Sequence, residues 1–168
     1  PFSFDGIDTM SLAPHKFGGL NGSGILLKRE GVAMEPLLNG GASTTIYRSG
    51  TPTLAMAVTS ALALEMALAQ EDDVNARISE YNHMLRKELS AYSRVQINSP
   101  KHSVPHILNL SVEGIKGTEF QKALAEREVC VSVKSACSVE NTPSRSVFAI
   151  SRDKKRALSS WRISMGSA

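Results

Sequence analysis

Across the C-terminal two thirds of this sequence, apolar residues recur with two different periods, and that alternation limits the fold more than any other feature. Val74, Ile78, Tyr81, Leu85 and Leu89 stand three and four residues apart, the spacing of one face of a helix. Glu71-Asp-Asp73 places negative charge at the start of that helix, where the backbone dipole favours it. The spacing predicts a half-exposed helix packing on a sheet, with His83 off the apolar face and at the surface. Leu108-Asn-Leu-Ser-Val112 then alternates every second residue, as a strand with one buried face does. Val95 to Ile97 reads as a short strand stopped by Pro100. Thr118-x-x-Gln121 has the form of a capping box and predicts a helix running to about Glu128. Val129-Cys-Val-Ser-Val133 is expected to be the next strand. Trp161 to Met165 is expected to be the last one, with Trp161, Ile163 and Met165 on one face and Arg162 and Ser164 on the other. Helices and strands in this rhythm predict an α/β fold.

Ahead of this region, Ile7 to Leu12 reads as a strand end and Ile25 to Leu27 as a second short strand. Pro52 to Gln70 is rich in Ala, Leu and Met and apolar nearly all round, which predicts a buried helix. Thr51 is expected to cap it, with Pro52 as its first residue.

Several function classes are disfavoured by composition. With 42% hydrophobic and 21% charged residues, the chain has an ordinary globular make-up. Aromatic residues are only 5% of it, too few for a base-stacking platform, and Arg152-Asp-Lys-Lys-Arg156 is the one dense basic run. That run reads as a solvated loop, so no nucleic-acid partner is expected. The most apolar stretch, Leu54 to Ala69, is interrupted by Thr59, Ser60 and Glu65, so no membrane association is expected. No secretory leader pattern is read at Pro1, and two cysteines among 168 residues suggest a reducing compartment, taken as the cytoplasm. No metal-ligand set is read from the sequence.

The candidate chemistry begins at Ser11 to Gly24. Pro14 removes a backbone donor, so strand pairing should stop there. Gly18, Gly19, Gly22 and Gly24 permit a tight loop. Lys16 is therefore expected at the mouth of a turn, where desolvation would remove its charge and allow Schiff-base chemistry. The lysine precedes the glycines, so the loop is not a phosphate-binding P-loop. Arg48 lies three residues before Thr51 at an expected helix N-terminus, a pattern that suits an anion. A plain helix cap beside a surface arginine has the same pattern. The two cysteines differ in context. Cys130 lies between valines in an expected strand and reads as an inert core thiol, whereas Cys137 lies in the small, polar segment Lys134 to Pro143 and reads as an exposed, reactive one.

Four segments in order resemble the cysteine desulfurases, a branch of the class V aminotransferases that use pyridoxal 5'-phosphate (PLP). They are Asp8-x-Met-Ser-x-x-x-His-Lys-x-x-Gly19, Arg48-Ser-Gly-Thr51, Ser135-Ala-Cys-Ser138 and Trp161-Arg-Ile-Ser-Met-Gly166. The resemblance covers roughly the second half of a family member. It implies a PLP-transferase fold, with residues 1–52 from the large domain, 53–70 as a connecting helix and 71–168 as a truncated small α/β domain. It implies Lys16 and His15 as catalytic and cofactor-binding residues, and Arg48 and Thr51 as cofactor-binding, reaching the phosphate of a neighbouring subunit in a homodimer. It implies Cys137 as the catalytic thiol that takes sulfur from L-cysteine as a persulfide, and Arg162 as the grip on the substrate carboxylate. A sulfur acceptor or iron–sulfur scaffold protein would be the partner. A selenocysteine lyase, or a non-catalytic dimerising or docking fragment, are the rival readings. The family's ring-stacking histidine and its aspartate toward the pyridine nitrogen lie N-terminal to these segments, so the isolated stretch is expected to be inactive.

Overall fold

The computed structural model describes residues 3–41, 45–133 and 142–166. They divide into two compact units, 1–71 and 72–168. The architecture is α/β.

In the first unit β1 (Thr9–Leu12) pairs antiparallel with β2 (Ile25–Lys28), from Thr9 opposite Lys28 to Leu12 opposite Ile25. Pairing ends just before the buried Pro14, as a missing donor requires. Pro14–Lys16 forms a single 3-10 turn, closed by Lys16 N donating to Ala13 O at 2.9 Å. Gly19 N donates to Pro14 O at 2.8 Å, and a Cβ at Gly19 would lie 2.8 Å from Pro14 Cβ. That approach is open only to glycine.

The helix α1 (Leu54–Ala69) packs on this turn and loop through small residues. Ser60 and Ala63 are its buried positions, and Ser60 Oγ lies 3.4 Å from Ser23 Oγ. The expectation of a buried helix fails here. Leu54, Val58, Leu62, Met66 and Leu68 are all more than half exposed. Composition shows what a helix needs to cover, but burial depends on what packs against it, and the contact stripe is only one small-residue face wide. The start of α1 also differs. The cap position is Thr53, whose hydroxyl makes no capping bond, and Thr51 lies two residues outside. The helix thus starts two residues later than the Thr51-Pro52 pair suggests.

The second unit holds a three-stranded antiparallel sheet with β4 (Ile107–Val112) between β3 (Val95–Ile97) and β5 (Ser160–Ser164). Leu108 faces Ile163 and Leu110 faces Trp161 across β4 and β5. Leu108, Leu110, Val112 and Trp161 form the buried centre. Leu85 and Leu89 of α2 (Glu71–Ser90) and Phe120 and Leu124 of α3 (Gly117–Ala125) cover it. Phe120 stacks on Trp161 with ring centroids 4.9 Å apart. Burying each such side chain contributes about 1.5–3 kcal/mol.

The other sheet face is covered only in part: Ser111 and Ser160 are buried there, while Ile107, Asn109 and Arg162 are half-buried. α4 (Arg145–Ser151) and α5 (Lys154–Leu158) pack together, and α5 packs on β4. Ser111 is 1% exposed and donates to Arg156 O at 2.8 Å. The basic run 152–156 is therefore a helix junction rather than a solvated loop. Arg152 takes the left-handed conformation at the end of α4, and Asp153 caps α5 by accepting from Lys155 N and Arg156 N. The Arg156 guanidinium reaches Asn98 Oδ1 at 2.6 Å and Ile97 O at 3.0 Å.

Two local expectations are corrected in the same unit. α3 begins at Gly117, with Lys116 at the cap and no side-chain capping bond, so the capping box does not form. A Cβ at Gly117 would strike the Ser160 carbonyl, so close packing on β5 sets the start of the helix. The Gln121 amide donates instead to Val131 O at 2.8 Å. Residues 129–133 form no strand. Ser132 makes one bridge to Arg162, and Val131 and Val133 lean on the core. Cys130 is exposed, not core. A single bridge does not align the segment into a buried pleat.

Candidate active site

The first unit carries His15 and Lys16 on one turn, and Arg48 and Thr51 on the segment that leads into α1. His15 and Lys16 are exposed on the 3-10 turn, held by Pro14 below and the glycine loop behind. The desolvation expected for Lys16 is not supplied here; the turn orients its stem and leaves the amine open. Arg48 is half-buried, and its Nη1 donates to Gly50 O at 2.7 Å. Gly50 has φ +100°, a conformation that favours glycine, so the Arg48-to-Thr51 bend depends on it. Thr51 is exposed beyond this bend. Because the Thr53 hydroxyl makes no capping bond, the first amides of α1 have no side-chain acceptor from their own cap.

The second unit contributes Arg162. Alternation along β5 sends it away from Trp161, and Asn109 stands directly across on β4. Its backbone is tied to Ser132 by hydrogen bonds of 2.6 and 3.0 Å. It lines a cleft of about 730 Å³ with Asn98, Ser99, Asn109, Val133 and Ser144. The Arg162 Nε is buried and has no hydrogen-bond partner among the described residues. An orphaned buried guanidinium donor costs free energy unless an acceptor arrives, and a carboxylate offers two. Asn98 keeps this face polar: it donates to Asn109 Oδ1 and to Ser111 Oγ, each at 2.8 Å.

Cys137 lies outside the described residues. Among the described residues no group of three or more His, Cys, Asp or Glu is placed to hold a metal ion. No single helix there is long and apolar enough to cross a membrane. The polar pair Asn82 and Arg86 on α2 escaped the sequence reading. Asn82 is 7% exposed, donates to Pro105 O at 2.7 Å and accepts from Arg86 Nε at 2.6 Å. Its place four residues after Ile78, on the apolar stripe, was the available signal.

A lysine on a glycine-braced turn, an arginine bend before a helix and an arginine at a cleft are thus carried on one α/β chain. The model of the aminotransferase class-V family matches residues 3–168, and the chain belongs to that family. Among curated relatives, the NifS/IcsS protein homolog of Lactobacillus delbrueckii subsp. bulgaricus is 34% identical over 134 residues, 79% of this chain and 35% of the relative. The cysteine desulfurase IscS of Dictyoglomus turgidum is 31% identical over 164 residues, 96% of this chain and 42% of the relative. A solved NifS-like protein superposes with a TM-score of 0.81 at 28% identity, over 95% of this chain and 41% of the other. The chain thus spans less than half the length of the relatives it matches.

Proposed function

We propose that this chain is part of a PLP-dependent cysteine desulfurase that takes sulfur from L-cysteine, leaving alanine and a persulfide on Cys137. The observation that carries the reading is the Arg162 Nε, buried without a partner among the described residues at a largely apolar cleft, in a chain of the class-V family. Residues 1–52 would belong to the large domain, 53–70 to a connecting helix and 71–168 to the small domain.

The residues present fit the cofactor by their chemistry. Lys16 supplies a primary amine for its aldehyde. Arg48, the Thr51 hydroxyl and the free amides at the start of α1 are donors suited to a phosphate. His15 adjoins the lysine and would sit beside the cofactor. When bound, PLP withdraws electrons from the substrate Cα. Lys16 would remove the Cα proton and later return a proton to the product carbon. Arg162 would hold the substrate carboxylate in a bidentate fork. The Cys137 thiolate would attack the substrate sulfur. One S–S bond forms, the substrate Cβ–S bond breaks, and its electron pair stays with the carbon that becomes the alanine methyl group. A homodimer, an acceptor for the persulfide sulfur such as an iron–sulfur scaffold protein, and a cytoplasmic setting complete the proposal.

The test is turnover of cysteine by the full-length protein carrying this sequence, read as alanine and sulfide. Cys137→Ala should abolish sulfur release with the cofactor absorbance unchanged, and Arg162→Lys should raise KM for cysteine more than it lowers kcat. Borohydride trapping should label Lys16. Normal turnover by Cys137→Ala, or trapping at another lysine with full cofactor occupancy, would refute the assignment.

A further inference from the structure

The second unit carries a basic cleft that the proposed chemistry does not use. It lies between the C-terminal half of α2 and the 98–106 connection, has a volume of about 730 Å³, and is lined by His83, Arg86, Lys87 and Lys101 with Ser79, Ser90 and Ser103. No aspartate or glutamate lines it. The volume lies inside the range of about 300–1,000 Å³ in which small-molecule sites fall.

Arg86 makes the cleft a built feature rather than a chance cluster of surface charges. Its Nε donates to Asn82 Oδ1 at 2.6 Å, its Nη1 to Ser99 O at 2.9 Å and its Nη2 to Pro100 O at 3.1 Å. Asn82 in turn donates to Pro105 O at 2.7 Å. These bonds clamp the connection onto the helix and fix the wall that Lys101 and Ser103 stand on. Every Arg86 partner is neutral, so the clamp is satisfied in hydrogen bonds and uncompensated in charge. Arg29–Asp8 and Lys116–Glu119 pair elsewhere, and among the described residues neither Lys87 nor Lys101 has a carboxylate within ion-pair distance. Lys87 also opposes the negative end of α2, but Lys101 and Arg86 have no such counterpart.

We propose that this cleft binds a small, multiply charged phosphate-class anion. Flexible ammonium groups suit phosphate as point charges, and the Ser79 hydroxyl can donate to its oxygens, whereas Ser90 and Ser103 already donate to Arg86 O and Pro100 O. The three permanent cations Arg86, Lys87 and Lys101 balance the charge of two linked phosphates better than that of one.

The experiment titrates the full chain with pyrophosphate, inorganic phosphate and citrate at matched ionic strength. It follows the side-chain NMR signals of the histidines alongside calorimetry. Pyrophosphate should shift His83 and bind more tightly than inorganic phosphate. The double variant Lys87→Gln/Lys101→Gln, which removes only exposed charges, should weaken pyrophosphate at least tenfold, about 1.4 kcal/mol, and lower the melting temperature by no more than a few degrees through the lost Lys87 charge at the end of α2. Unaltered affinity in that variant overturns the proposal. So does citrate binding as tightly as pyrophosphate, or a response confined to histidines outside the cleft. None of these readouts depends on desulfurase activity, so the site stands or falls separately.

Discussion

Replacing Gly117 by alanine sets two effects against each other, and the structure decides the sign. Alanine is the better helix former by up to about 1 kcal/mol, so local propensity alone predicts a more stable α3. The packing says otherwise. A Cβ at Gly117 would fall onto the Ser160 carbonyl, with Val133 Cγ1 3.1 Å and Ser160 C 3.2 Å away. Ordinary carbon–oxygen contacts sit near 3.3–3.6 Å, so α3 must lift from β5 or β5 must bend. Val133 can turn aside, but Ser160 is backbone of a paired strand and 2% exposed. Overpacking costs about 1–3 kcal/mol, and a clash with the backbone of a paired strand belongs at the upper end, so subtracting a propensity gain of up to about 1 kcal/mol leaves about 2 kcal/mol of destabilisation. In a unit of this size that lowers the melting temperature by about 8–16 °C. Trp161 is the only tryptophan and stacks on Phe120 of α3, so its fluorescence in urea reports the affected contact directly. A Gly117→Ala chain as stable as the parent, or more so, would show that the α3–β5 approach is looser than described and that propensity governs this helix start.

Asn98→Ala should cost about 1–3 kcal/mol in thermal unfolding, because it strips Arg156 Nε and Ser111 Oγ of a partner inside the sheet; a loss within 0.5 kcal/mol would mean that water replaces the amide freely. Cys130 is exposed, so the folded chain should react with a thiol reagent at this position, and Cys130→Ala should change stability by no more than about 0.5 kcal/mol. Protection of Cys130 in the native state together with a large stability loss would restore the buried-strand reading.

The sequence by itself determined the elements whose signal is a repeated local period. The three-and-four spacing of α2 places Ile78, Leu85 and Leu89 inward, and the alternation at Leu108 to Val112 sets the face that meets Trp161. The end of β1 before Pro14 follows from one missing N–H and needs no tertiary partner. The candidate residues were legible only through short motifs, each compatible with a bland surface role until the family was known.

Tertiary structure decided everything that depends on a partner distant in sequence. Cys130 sits between valines yet is exposed, because a strand requires a neighbour to pair with and residues 129–133 find one only at Ser132. Thr118 does not cap α3, because Ser160 tolerates only a glycine where that helix docks. α1 is apolar all round, yet its described neighbours bury only a stripe at Ser60 and Ala63. Arg162 becomes an unsatisfied donor in a cleft only because β5 pairs with β4 and α4 closes the polar face. Periodicity is written in the chain, whereas burial and pairing belong to two segments at once, and a single stretch of sequence holds only one of them.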